Sequence, residues 1–232
     1  CNQNNFFVMQ LLIKKIITMK TIVVYVLVLL FGLQLSWGQQ KDTLQTKKTY
    51  TNWEQAVKEP EKVYRLNLSN QSLHLDSPLW SKFKNLEYLN LSNDHLKTLP
   101  KGITNLKKLK VLEISGNDFT RVPEEISKIE SLEEVYLNEF KNINLPKSIE
   151  ALAKLPKLTM LHLENNNLER LPSEIALLKN LAQLYLNQNR FKEFPKEVRG
   201  LKHLEQLDIK NNAVPIPMNP QENMNFGFRI NF

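Results

Sequence analysis

From Val63 almost to the end of the chain, apolar residues return at the same places within a repeated block. Blocks open at Val63, Leu86, Leu109, Leu132, Leu158, Leu181 and Leu204. The spacing is 23 residues throughout, except for 26 between Leu132 and Leu158. In Leu86-Glu-Tyr-Leu89-Asn-Leu91 the first, fourth and sixth places are apolar and the places between are polar or aromatic. Such period-two alternation predicts a short strand with one face inward. An apolar residue follows at the eleventh place (Leu96, Phe119, Leu168, Phe191), then an apolar–proline pair such as Leu99-Pro100, Val122-Pro123 or Leu171-Pro172. Proline lacks an N–H and fixes φ, so it suits the start of a helical turn. Apolar residues three and six places later (Ile103 and Leu106, Ile175 and Leu178) are expected to face back inward. A unit this short cannot bury its apolar face alone, so a fixed period of this length predicts a stacked solenoid.

The pattern LxxLxLxxNxLxxLPxxIxxL resembles the leucine-rich repeat family over residues 63 to about 214. The resemblance implies an α/β solenoid: a right-handed horseshoe with a parallel β-sheet on the concave side and short helical or 3₁₀ segments on the convex side. Two blocks depart from the pattern. The fourth has Phe140 at the turn-asparagine place, Asn142 where a buried leucine belongs and three extra residues within 151–157, which predicts an irregular turn. The first has Gln71 at the asparagine place and Trp80 and Phe83 on its convex side, as suits a terminal repeat. Asn117, Asn166 and Asn189 at the ninth place are read as structural: a buried amide can bond the backbone groups of the turn, which would be costly to leave unpaired.

The rest of the chain divides around the seven repeats at 63–214. Residues 1–18 read as an upstream leader outside the fold. Met19-Lys20-Thr21 precedes an apolar run from Ile22 to Leu33 and the small residues Ser36 and Gly38, the layout of a signal peptide over 19–38 with cleavage before Gln39. The apolar run is shorter than the roughly 20 residues that a membrane-spanning helix needs, so no integral span is expected after cleavage; the alternative is an anchor formed by an uncleaved signal. Residues 39–62 read as a linker and an N-terminal capping helix, with Thr51-Asn-Trp-Glu54 as a capping box. Residues 215–232 read as a C-terminal cap, in which the alternating tail Phe226-Gly-Phe228-Arg-Ile230-Asn-Phe232 supplies a capping strand. Cysteine is confined to Cys1, so the Cys-rich caps of animal leucine-rich repeat proteins are missing. This points to the bacterial variety.

Catalytic and metal motifs are missing too. His74, His95, His162 and His203 fall at different repeat places with no ligand spacing, and the sequence has neither a phosphate-binding glycine loop nor a nucleophile elbow. No cofactor, no metal and no enzymatic activity are expected.

What remains is the concave face. Third places run Arg65, Tyr88, Val111, Glu134, Met160, Gln183, Gln206, and fifth places run Asn67, Asn90, Glu113, Tyr136, His162, Tyr185, Asp208. With strands about 4.8 Å apart, Tyr136, Met160, His162 and Tyr185 should form one exposed cluster. Exposed aromatic and methionine side chains are enriched where proteins bind each other; the same rings could equally pack on one another merely to cover the sheet.

Charge refines this picture. Overall the chain carries +7, but eight acids (Glu87, Glu113, Glu133, Glu134, Glu139, Glu164, Glu205, Asp208) face three bases (Arg65, Lys110, Lys210) across the concave places. The lysines lie scattered over the other surfaces, without the basic, aromatic-lined groove of nucleic-acid readers. The expected function is that of an exported, secreted or periplasmic and surface-associated protein–protein interaction module. It would bind a protein or peptide, preferably a basic one, through Tyr88, Glu113, Glu134, Tyr136, Met160, His162, Tyr185 and Asp208. An intracellular signalling scaffold and a surface adhesion component remain as alternatives, and nothing in the sequence fixes the oligomeric state.

Overall fold

The structure is a computed structural model in which residues 47–71, 77–215 and 227–232 are described. The expected leader, signal peptide and most of the linker, together with His74, lie outside them, as does the stretch from Ile216 to Phe226. Nine short strands form one parallel sheet in strict chain order: β1 (Thr49–Tyr50), β2 (Arg65–Asn67), β3 (Tyr88–Asn90), β4 (Val111–Glu113), β5 (Glu134–Tyr136), β6 (Met160–His162), β7 (Gln183–Tyr185), β8 (Gln206–Asp208) and β9 (Arg229–Asn231).

From β2 to β8 each strand is the third to fifth place of a block. Pairing runs place to place, as in Tyr88↔Val111, Leu89↔Leu112 and Asn90↔Glu113. The register held by the 23-residue period survives the longer fourth block, where Glu134 pairs with Met160 and Tyr136 with His162. Each strand's middle residue (Leu66, Leu89, Leu112, Val135, Leu161, Leu184, Leu207) is fully buried, and its two neighbours point to the opposite face. That alternation separates core from wall within three residues.

The chain leaves each strand through a left-handed residue at the eighth place: Asn70, Asn93, Gly116, Glu139, Asn165, Gln188 and Asn211 all have φ between +53° and +64°. From Asn70 to Gln188, the backbone N–H at this place donates to the seventh-place carbonyl of the next coil, as in Asn93 to Ser115 and Gln188 to Lys210, at 2.9 Å each. The ninth-place asparagines then close the turn. Asn117 Oδ1 accepts from the N–H groups of Asp94 and Leu96 at 3.1 and 2.9 Å, while its Nδ2 donates to Leu91 and Ile114 carbonyls at 2.7 and 2.9 Å. Asn189 repeats the set on Asn166, Leu168, Leu163 and Leu186. Asn166 bonds Phe140 N–H and the Leu137 carbonyl. Each amide therefore ties its own turn to the preceding coil.

On the convex side, 3₁₀ segments such as Glu124–Lys128, Ser173–Leu177 and Lys196–Gly200 begin directly after the prolines. They turn Ile126, Ile175 and Val198 into the core. The fourth coil differs. Its extra residues are absorbed by an α-helix, α2 (Leu145–Leu152), capped by the Asn144 side chain accepting from Lys147 N–H; here α1 denotes the N-terminal helix Trp53–Lys58. Asn142 is exposed and Ile143 packs against the core in place of the missing leucine. Phe140 is buried, 6.1 Å from Phe119 between ring centroids.

Both open ends are covered. The α1 N-cap is Asn52, whose side chain accepts from Gln55 N–H at 2.9 Å. This corrects the capping box expected from Thr51, one residue earlier: an asparagine side chain is at least as good a cap as a threonine. Trp53 packs its ring against Trp80 and Phe83 at 4.7 and 5.4 Å. Just before the helix, β1 adds a strand to β2, within the 39–62 segment read from sequence as a linker and a capping helix. At the far end β9 pairs in parallel with β8, and Phe228, Ile230 and Phe232 pack partly buried against the core.

Candidate functional site: the concave sheet face

The sheet face opposite the core carries the third- and fifth-place side chains in two rows, one residue per strand. Tyr136, His162 and Tyr185 are successive fifth-place residues in register, and their rings form one stack. Centroids are 3.8 Å apart between Tyr136 and His162, and 4.2 Å between His162 and Tyr185, with planes 11° and 3° from parallel. Both separations are shorter than the 4.8 Å typical of neighbouring strands, so the three rings lean into face-to-face contact.

Stacking changes the role of the middle ring. His162 is only 8% exposed, which corrects its reading as an exposed contact residue: the flanking phenols cover both of its faces. Tyr136 and Tyr185 are half-buried, as are Tyr88, Glu113, Glu134 and Met160. Asp208 is also buried, at 9%, and accepts hydrogen bonds from Gln206 and from Asn231 of the C-terminal strand. Of the four residues expected to cluster, Tyr136, His162 and Tyr185 stack directly, with His162 as the filling and the two tyrosines as the surface.

Carboxylates frame the stack. Glu134 Oε1 lies 3.0 Å from His162 Nε2 and accepts the Tyr136 hydroxyl at 2.8 Å. On the other side, Glu164 Oε2 lies 3.6 Å from His162 Nδ1, a buried nitrogen that makes no hydrogen bond. Glu164 Oε1 accepts from Asn187 Nδ2 at 2.7 Å. Toward the N-terminal end, the Arg65 guanidinium sits 3.9 Å above the Tyr88 ring, whose hydroxyl donates to Glu113 at 3.1 Å.

The phenols feel this environment. Burial, aided by Glu113, pushes the Tyr88 hydroxyl up from 10.0 to about 12. Burial and the bonded Glu134 raise that of Tyr136 further, and burial followed by Asp208, Glu134 and Glu164 raises that of Tyr185. All three stay protonated as hydrogen-bond donors well into alkaline solution.

Some expected wall positions do other work. The seventh-place Ser92 and Ser115 are buried, and Ser115 Oγ accepts from Asn138 N–H at 3.1 Å. Glu133 is partly offset by Lys110, 3.7 Å away. Sequence reasoning also passed over Asn212, the ninth place of the last block. Its side chain accepts from Phe191 N–H at 3.1 Å and donates to Leu186 and Ile209 carbonyls at 3.0 and 2.9 Å; its position eight residues after Leu204 was sufficient signal. Among the described residues no group of three or more His, Cys, Asp or Glu side chains is placed to hold a metal ion, and no helix is long and apolar enough to cross a membrane.

The family assignment rests on two overlapping matches that together span the whole repeat tract. A family model described as "Leucine-rich repeat region" matches residues 62–161, and one described as "Leucine rich repeat" matches residues 156–214. The chain belongs to the leucine-rich repeat proteins. Among solved structures it is similar to a leucine-rich repeat protein of Leptospira interrogans, with 32% identity and TM-score 0.56 over 73% of this chain and 49% of that one. It is also similar to human trophoblast glycoprotein, a Wnt-activated inhibitory factor, with 25% identity and TM-score 0.57 over 68% of this chain and 63% of that one. The Drosophila Toll–Spätzle complex matches at 22% identity and TM-score 0.57 over 71% of this chain and 22% of that one, a likeness of fold alone. The chain thus spans about half of the Leptospira protein and under two thirds of the human one. A search of the curated proteins gave no match. Leucine-rich repeat domains generally mediate protein–protein interaction and are typically non-enzymatic modules.

Proposed function

We propose that this chain is an exported bacterial interaction module that binds a protein or peptide, preferably a basic one, on its concave sheet face. The observation that carries the reading is the Tyr136–His162–Tyr185 stack framed by Glu134 and Glu164. The stack presents two rigid half-buried phenols, which offer contact area at small entropic cost because their rings are already fixed. The surrounding carboxylates favour a positively charged partner and speed its approach. Hydrogen bonds within the wall hold the side chains in place before a partner arrives.

The test is affinity capture from the producing organism's envelope and surroundings with the full chain as bait, in parallel with a Tyr136→Ala/Tyr185→Ala double variant. A partner retained by the first and lost by the second supports the concave assignment. Equal retention by both contradicts it. Export is tested separately: the reading expects the mature N-terminus, measured by mass spectrometry on protein from the producing cells, near Gln39.

A further inference from the structure

Lysines that look scattered along the sequence stack on one flank of the solenoid, where the chain leaves each convex segment and enters the next strand. Two residues before a block opens stand Lys84, Lys107, Lys179 and Lys202, and one residue before stand Lys108 and Lys157. Four residues before an opening stand Lys82, Lys128 and Lys154. All nine are exposed, and Glu130 is the single acid at these places between Lys82 and His203. Side-chain bonds tie this flank together from coil to coil. Asn85 Nδ2 donates to the Glu61 carbonyl at 2.9 Å, Lys108 Nζ to Asn85 Oδ1 at 2.8 Å, and Asn180 Nδ2 to the Pro156 carbonyl at 3.0 Å. Equivalent places of successive coils are therefore neighbours, and the row advances about 4.8 Å per coil.

The fold does not neutralise this charge. Among the described residues none of the nine lysines forms a salt bridge. Lys107 and Lys108 bond neutral oxygens only, the Thr104 carbonyl at 2.9 Å and the Asn85 amide. Leu177 supplies a second, independent observation. It occupies the place where earlier coils put Lys82, Lys128 and Lys154. At 45% exposure it is the only exposed large apolar side chain among the described residues. It borders an open groove of about 310 Å³ with Leu152, Leu155, Pro156 and Leu178 in its lining. The groove lies where the end of α2 meets the 3₁₀ segment Ser173–Leu177, beside the longer fourth coil. Lys179 lines it as well, and Lys154 and Lys157 adjoin its lining residues in sequence. A merely solubilising row gains nothing from an exposed leucine, and a nucleic-acid strand needs exposed rings to stack on, which the row lacks. Ammonium groups around an apolar tip match a surface that is anionic outside and apolar beneath.

We propose that this lysine flank is a second binding surface, which seats the solenoid on an anionic lipid bilayer. The ammonium groups meet the headgroups, and Leu177 enters among them at the apolar groove. Lysine suits the task, because a hydrated point charge on a flexible stem follows mobile headgroups without needing a fixed fork geometry. The flank and the concave wall are different surfaces of the same coils. The proposal does not rest on the concave-face reading, and either can fail without the other.

The experiment measures co-sedimentation of the full chain with vesicles of equal parts phosphatidylglycerol and phosphatidylcholine, and with vesicles of phosphatidylcholine alone. Any pull of the apolar 22–33 run on lipid is common to every variant and is read on the neutral vesicles. The flank variant is Lys154→Gln/Lys157→Gln/Lys179→Gln. Its control, Lys97→Gln/Lys141→Gln/Lys192→Gln, removes the same charge from exposed places beyond the strand exits. Leu177→Ala removes the apolar tip at constant charge, and Leu177→Gln, of similar volume, replaces it if thermal melts show that the alanine variant does not fold. The expected result is binding to the anionic vesicles above the neutral baseline, lost in about 1 M salt. The flank variant should weaken it about tenfold or more, since each lysine near an anionic surface is worth about fivefold. The control should change it less than about twofold, and Leu177→Ala should weaken it about threefold. No binding above the neutral baseline overturns the proposal, as do equal losses from the two lysine variants, which would make net charge the cause. If Leu177→Ala binds as tightly as the unmodified chain, the flank takes polyanions in general and the lipid assignment falls.

Discussion

The imidazole of His162 lies 4.2 Å from the phenol ring of Tyr185, centroid to centroid, and within 3° of parallel. With Tyr136 on its other face and Glu134 on Nε2, His162 acts as the spacer that fixes both tyrosines. His162→Ala is expected to open a gap between them and to cost about 1–3 kcal/mol, from a lost hydrogen bond to a carboxylate and two ring contacts. Chemical denaturation measures the loss. A variant as stable as the unmodified chain would show that the stack is incidental.

The turn amides should grade by burial. Asn189 is buried and donates to the Leu163 and Leu186 carbonyls while accepting from two N–H groups. Asn189→Ala strands those backbone groups and is expected to cost about 2–4 kcal/mol. Asn212→Ala, at the partly buried last turn, should cost less than half as much. Urea unfolding midpoints of the two variants, measured side by side, check the order.

A left-handed backbone at the eighth place favours glycine, and only Gly116 of the seven uses it. Gln188 has neither the short side chain of asparagine nor the freedom of glycine, and its φ is +57°. Gln188→Gly is therefore expected to stabilise the chain by about 0.5–1 kcal/mol, the relief of left-handed strain less the greater entropy of glycine in the unfolded chain. Gly116→Ala should act in the opposite direction. Thermal melts of both variants give the signs.

Alkaline pH should weaken the fold through the wall tyrosines. A phenol whose folded value is raised from 10.0 to about 12, as for Tyr88, favours folding fully below pH 10, and that contribution is lost as pH rises toward 12. Stability measured across this window should fall, and Tyr88→Phe should flatten the fall because it removes the titrating group. An identical pH dependence in the variant would contradict the assignment.

How much of this was legible in the residues follows from which signals repeat. The strand register could be read because apolar residues, mostly leucine, recur at the first, fourth and sixth places of seven blocks. Asn117, Asn166 and Asn189 could be read because their place in the coil defines their bonds. Burial of His162 could not, since it depends on the rotamers of rings in the neighbouring coils, 23 and 26 residues away in sequence. The left-handed eighth place was masked by its mixed occupants, among them Glu139 and Gln188, which give no common compositional signal. β1 was too short, at two residues, to show an alternation of its own. In the fourth block the extra residues were visible, but not that they would wind α2 in place of a 3₁₀ turn.

The most direct test of the docking wall is the dissociation constant of the captured partner for the unmodified chain and for the folded Tyr136→Ala/Tyr185→Ala variant, measured under the same salt. Removing both phenols should weaken binding at least tenfold, since two anchoring aromatics are lost. Constants that agree within about twofold, a difference of under half a kcal/mol, would place the partner on some other surface of the solenoid.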